Sequence, residues 1–365
     1  MRFVGLLVWV GCQPGAGDLS SPTGSGILGG DDHDVSDLLE VWGDEDDGHD
    51  APQDLAFNPE VDGELWVVNK KDDSTTIYND VGGEGHTSEH IVDPYALHFM
   101  EKVTSIAFGA PGTFATCQDG TNSYNRQGEG NLFTGPTLWT SDRSVFGLTN
   151  PEAVDSLGGT DLGSHIDMLH ESPECMGIAW DHDNVYWVFD GYHGNIVRYD
   201  FQQDHGPGYD DHSDGIIARY INADVVRRTA VPSHMILDHD TGLLYIADTG
   251  NARITVLDTT TGREGDPLPR FEPGTDHHEV RGADYSTLID GVEHGLEQPS
   301  GLELYDGQLL VSDGATGELF TFSLDGELID WAATGASPAG LMMDPDGSAL
   351  WMVDRKSNQL LRLPL

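Results

Sequence analysis

Three histidines stand in segments that a fold could gather onto one ion. His170 lies in Asp161-Leu-Gly-Ser-His165-Ile-Asp167-Met-Leu-His170-Glu-Ser-Pro-Glu174-Cys175. On a helical turn Asp167 and His170, three apart, share one face, so the carboxylate would orient the imidazole. His193 sits in the polar turn Asp190-Gly-Tyr192-His-Gly-Asn195, and His234 in the apolar run Pro232-Ser-His-Met-Ile-Leu237. Three neutral imidazoles converging from separate segments make a divalent transition-metal site with an open position. His165, Asp167 and Tyr192 are then the groups placed to touch a bound molecule. Each histidine also has a plain structural role open to it: His170 on a helix surface, His193 in a turn, His234 as a buried hydrogen-bonding group.

A second pattern follows in Asp204-His-Gly-Pro-Gly-Tyr-Asp210-Asp-His212-Ser-Asp214-Gly215. Asp210, His212 and Asp214 alternate as donors and end on a turn-forming Gly, the layout of a calcium loop. The Glu that would close an EF-hand is missing, and strand-like runs flank the segment; an acidic surface loop is the alternative. Nucleophile and nucleotide motifs do not occur: no Gly-x-Ser-x-Gly, no phosphate-binding Gly loop, no Cys-x-x-Cys. The cofactor to expect is a divalent metal, zinc or calcium, and not a nucleotide.

The elements that must position these residues come from a repeat. Six segments share a small or turn residue, an apolar strand, a polar turn and a second apolar strand closed by Asp, Asn or Gln. They run Pro52 to Asn69, Thr104 to Gln118, Cys175 to Asp190, Pro232 to Asp248, Pro299 to Asp313 and Pro338 to Asp354. Aligning Asp54, Ser105, Gly177, His234, Gly301 and Gly340 gives intervals of 51, 72, 57, 67 and 39 residues, while the offset to the closing residue stays between 12 and 15. Constant cores with elastic connections are the mark of a blade repeat. Third strands follow at Asn195–Asp200, Arg253–Asp258 and Glu318–Ser323. Pro232 to Asp258, with Ala247-Asp248-Thr-Gly-Asn251-Ala-Arg253-Ile254, resembles the NHL-repeat family. The resemblance implies an all-β six-bladed β-propeller with long inter-blade loops over residues 35–365. It places a ligand or partner, small molecule, peptide or protein, on the face where the inner strands begin. The 204–215 loop, joining third and fourth strands, is expected on the opposite face.

Within that architecture Asp190, Asp248, Asp313 and Asp354 read as turn-bonding residues, because they recur in four blades. The chain ends in a third strand, so residues 35–42 (Val-Ser-Asp-Leu-Leu-Glu-Val-Trp) are expected to pair with 359–364 and close the ring. Peptidyl-hydroxyglycine lyases use a similar propeller with zinc on histidines that follow Pro at blade starts. Here Gln53, Ser233, Ser300 and Ala339 hold those positions, so that zinc set does not transfer. A gluconolactonase-type calcium set would be mimicked by Asp54, Asp190 and Asp248. Two functions stay open: a binding propeller, or a metal-dependent hydrolase or lyase working through histidines at the channel mouth.

Charge narrows the partners. With 63 acidic against 17 basic side chains the net charge is −46, a field that repels nucleic acid and anionic lipid and attracts cations. The start, Met1-Arg2 then Phe3 to Gly11-Cys12, resembles a bacterial lipoprotein signal over residues 1–12, with Cys12 lipidated and Trp9 departing from the pattern. Residues 13–34 read as a flexible acidic tether. The expectation is an exported monomer of the bacterial cell envelope, lipid-anchored or secreted, that meets membrane only through its anchor. Cys117 and Cys175 remain in the body as a disulfide or as two separate buried thiols.

Overall fold

The computed structural model describes Leu28 and residues 33–122 and 131–365. The lipoprotein-like segment, Cys12 and most of the 13–34 tether lie outside the described residues. Six antiparallel sheets stand around a central channel. Blade one is Pro52–Phe57, Leu65–Asn69, Ser74–Asn79 and Thr87–Val92; blade two is Val103–Phe108, Thr113–Gln118, Thr137–Thr140 and His165–Met168. Blade three is Cys175–His182, Val185–Asp190, Asn195–Asp200 and Ile216–Asp224; blade four is Met235–Asp238, Leu243–Asp248, Arg253–Asp258 and Tyr285–Asp290. Blade five is Pro299–Tyr305, Gln308–Asp313, Glu318–Ser323 and Leu328–Ala333, and blade six is Pro338–Met343, Ala349–Asp354 and Gln359–Pro364 with Glu40–Gly43 outermost.

The second strands supply the core. Leu65–Asn69, Val185–Asp190 and Ala349–Asp354 are buried along their whole length, and Trp66, Trp187 and Trp351 fill the spaces between blades. Burying each such ring removes a large apolar area from water, worth roughly 2–3 kcal/mol. Inner strands begin on small residues because neighbouring strands crowd the axis. A side chain at Gly177 would run into the Ser233 carbonyl, and one at Gly301 into the Ala339 carbonyl. The closing aspartates bond their turns: Asp190 Oδ1 accepts from the Tyr192 and His193 N–H groups, and Asp313 Oδ1 from Ala315 and Thr316.

At the seam, Glu40, Val41 and Gly43 pair with Arg362, Leu361 and Leu360. Val35 to Leu39, expected in the same strand, turn instead. Asp34 Oδ1 accepts from both the Ser36 N–H and the Ser36 hydroxyl, drawing Ser36–Leu38 into a 3₁₀ turn. Just before it, the Val35 N–H donates to the Ala333 carbonyl on the edge of blade five.

Two insertions depart from the regular blade. The connection in blade four carries a hairpin, Arg263–Pro267 with Asp276–Arg281, whose second strand joins the outer strand of blade three in parallel. The loop between the third and fourth strands of blade three does not stay on the far face, as the blade pattern led us to expect. It lies along the open edge of blade two, where Gly208 N–H donates to the His165 carbonyl and His205 N–H to the Ile166 carbonyl. An unpaired outer edge needs such partners, and the loop supplies them.

Candidate metal centre

That rerouted loop brings the two sequence patterns together on the rim of blades two and three. Asp167, fully buried in the outer strand of blade two, accepts from His212 Nδ1 at 2.7 Å and from the Met168 N–H at 2.6 Å. The His212 ring is thereby fixed with Nε2 pointing away, paired with Asp210 Oδ1 at 3.3 Å. His170, in the segment leading to blade three, is held through Nδ1 by Glu272 from the inserted hairpin. Its Nε2 lies 3.4 Å from His98 Nε2, carried by the short helix Ala96–Phe99 between blades one and two. His165 donates through Nδ1 to the Leu162 carbonyl at 2.9 Å, leaving Nε2 buried without a partner. A cavity of about 220 Å³ opens between His98, His170, His212 and Asp210, walled by Tyr95, Phe99, Phe133 and Leu162.

Electrostatics favour ligation at three of the four rings. Burial drives His98 down to about 3, with His170 and His212 adding repulsion, and holds His165 and His170 well below the ordinary imidazole range. Neutral rings with a free lone pair are what a metal needs. His212 is the exception: burial opposes its charge, but Asp167 and Asp210 outweigh that and raise the ring to about 9, so at neutral pH it carries a proton that a metal has to displace. Burial lifts Glu272 to about 7. A carboxylate behind each ring (Asp167 behind His212, Glu272 behind His170) is the outer support that fixes tautomer and orientation in histidine metal sites. Nitrogen-rich donors of this kind suit zinc-class ions, whereas calcium takes six to eight oxygens.

Solved structures with the same architecture include regucalcin from Agrobacterium tumefaciens, described as a calcium-binding protein, at 12% identity over 88% of this chain and 92% of that one, TM-score 0.52. Virginiamycin B lyase from Staphylococcus aureus aligns at 13% identity over 90% and 99%, TM-score 0.50. A gluconolactonase from Xanthomonas campestris aligns at 14% over 90% and 89%, TM-score 0.50. The chain is a six-bladed β-propeller. No protein-family model and no curated protein sequence matches it.

The residues singled out in the sequence separate within this propeller. His170, Asp210 and His212 share the cavity, and His165 and Asp167 support it. His193 stays in its turn, bonded through Nδ1 to Asp190 Oδ2 at 2.7 Å, with half-exposed Tyr192 beside it. His234 faces the channel, its Nε2 donating to the Thr104 carbonyl and its Nδ1 3.5 Å from Asp54. These three histidines therefore do not form one site. The run Asp210, His212, Asp214 also splits: Asp214 turns to His205, 3.0 Å away. Among the described residues, Asp167, His205 and Asp214 are the one set of three donors within 4.8 Å of one another. Asp54, Asp190 and Asp248 do not converge, because Asp190 is taken by Arg219 and Asp248 by Arg253. Cys117 and Cys175 are joined as a disulfide, Cα atoms 5.2 Å apart, which ties the start of blade three to blade two directly after the His170 segment.

His98, His205 and Glu272 were not singled out in the sequence. His98 lies in an unremarkable apolar stretch, and Glu272 in the insertion behind the 67-residue interval.

Proposed function

We propose that this propeller binds a divalent transition metal, zinc in class, at the rim of blades two and three and presents it to a small molecule or peptide. The observation that carries the reading is the common orientation of His170 and His212. Each is anchored through Nδ1 on a buried carboxylate and turns Nε2 toward the cavity that Asp210 lines. His98, His170, His212 and Asp210 would close onto the ion from the cavity they line, since no three of their donor atoms lie within 4.8 Å of one another before it binds; Asp167 and Glu272 orient the rings; Phe99, Phe133 and Leu162 keep bulk water off. Bound there, the metal would supply Lewis acidity to an oxygen donor entering the cavity. The description of regucalcin as calcium-binding supports a divalent ion in this fold, and the histidine-rich donor set here favours zinc.

Hydrolysis or lyase chemistry is the second reading, favoured by Glu272. Its Oε1 holds His170 while its Oε2 is buried without a hydrogen-bond partner, which leaves one acceptor oxygen free to take a proton beside the rim.

Metal content of protein purified without a metal-affinity tag tests the proposal. We expect about one zinc per chain, lost in His170→Ala and in His212→Ala and kept in His234→Ala. Absence of a stoichiometric transition metal in folded protein that has been offered zinc would overturn it.

We also propose export to the bacterial cell envelope with lipid on Cys12. Support comes from the signal-like Met1 to Cys12 stretch and from the disulfide, which suits an oxidising compartment. Intact-mass measurement of the membrane-extracted protein should find a diacylglycerol-bearing Cys, and Cys12→Ser should release the protein from membranes.

A further inference from the structure

The far halves of all six inner strands enclose a second cavity of about 360 Å³, remote from the rim. Its wall is apolar, with Phe57, Phe108, Trp180, Leu302, Leu341 and Met342. The titratable groups that line it are Asp54, Glu303, His234 and His239, and no Lys or Arg is among the lining residues. Asp54 is committed: Oδ1 accepts from its neighbour's Leu55 N–H and Oδ2 from the Ile106 N–H across to blade two. His234 is committed too, between Asp54 and the Thr104 carbonyl.

Glu303 is the anomaly. In the repeat register the other blades place Ala56, Ala107, Ala179, Ile236 and Met342 at its position. A carboxyl there serves no need of the repeat, and at 9% exposure its charge has lost most of its hydration. Burial lifts it to about 8, against a backbone hydrogen bond from Met343 and with Asp54 adding repulsion.

We propose that this cavity is a binding site for an organic amine, with the ammonium on Glu303 and the apolar body along Phe57, Phe108 and Trp180. Asp54 and Glu303 line one cavity, and His234 stands 3.5 Å from Asp54 and is not paired with Glu303, so a compact cation would supply Glu303 with the counter-charge it lacks. Trp180 lines the same cavity, so its ring is available to a bound cation. The volume lies in the small-molecule range, and a net charge of −46 concentrates cations around the mouth. A metal ion is a poorer match, since both oxygens of Asp54 already accept backbone hydrogen bonds and the walls are apolar.

The test compares three molecules of one shape on the full chain: 4-phenylbutylamine, 4-phenylbutanol and 4-phenylbutyrate, followed by calorimetry and tryptophan fluorescence at pH 7.5. The amine should bind with one-to-one stoichiometry, the alcohol at least tenfold more weakly, and the acid not at all. Glu303→Gln should cut amine affinity at least tenfold while leaving the alcohol unchanged, and Trp180→Phe should remove the fluorescence response. Removing a buried carboxyl does not threaten the fold, and the ligand series stands without any variant. Equal binding of amine and alcohol, or no saturable amine binding, would overturn the proposal. Zinc content of Glu303→Gln should stay that of the parent, which separates this site from the rim.

Discussion

The rim and the channel are built by opposite routes. Channel positions come from the repeat itself, one residue per blade, so a departure such as Glu303 among Ala, Ile and Met stands out against five references. Rim residues come from connections that obey no repeat: the Met168–Cys175 segment, the loop carrying Asp210 and His212, the hairpin carrying Glu272, and the helix carrying His98. A repeated frame makes single substitutions conspicuous, whereas insertions let unrelated segments meet on its edge. The frame carries the packed core, and the insertions carry the histidines and carboxylates of the rim.

Breaking the frame should have the largest effect. Removing residues 1–45 takes away the outer strand of blade six, with its Trp42–Trp351 contact and its Glu40–Arg362 ion pair. The melting temperature should fall by about 10 °C or more, read by circular dichroism; an unchanged curve would mean the frame does not depend on its seam.

Next comes the support behind the rim. Asp167→Asn keeps shape but weakens the hold on the His212 ring, and zinc affinity should drop roughly 10–100-fold with little change in melting. Equal affinity would show that Asp167 is only a packing residue.

The channel gives a pH signature of intermediate size. Glu303 is raised from 4.5 to about 8 in the folded state, so between those values the folded chain binds more protons than the unfolded one. Stability from this group is full below pH 4.5, falls as pH rises, and levels off above about 8. Glu303→Gln should therefore melt several degrees above the parent at pH 8 and close to it at pH 4.5. Matching shifts at both pH values would place Glu303 in solvent. The smallest effect belongs to His193→Ala, a half-exposed turn residue away from both cavities: about 0.5 kcal/mol or less in stability and no change in zinc content.

Six blades were legible because each second strand is a short apolar run closed by a turn-bonding residue, a local signal repeated often enough to set a register. Within the rim, His170, Asp167, Asp210 and His212 were legible as residue types. Their meeting was not, since it depends on a loop binding the free edge of blade two, and edge pairing leaves no period in sequence. His193 and His234 misled for the converse reason. They sit at blade positions that look convergent, yet Asp190 holds one in its turn and Thr104 and Asp54 hold the other in the channel. The nearest available signal for Glu272 and for the hairpin was length: the interval of 67 residues against 39 marks where material was added.

The seam also sets a schedule. Glu40 and Arg362 are 322 residues apart in the chain, so the strand that completes blade six is made long before its neighbour. Until blade six is made, blade one therefore carries an uncovered apolar flank, the one where Leu55, Phe57 and Tyr78 later meet Trp351 and Leu360. Blades one to five can settle in order, each on its predecessor, but the circle closes in a single late step. A ribosome that stops within the last strand releases an open arc with two bare ends, so the final six residues of blade six weigh on assembly far more than their number suggests.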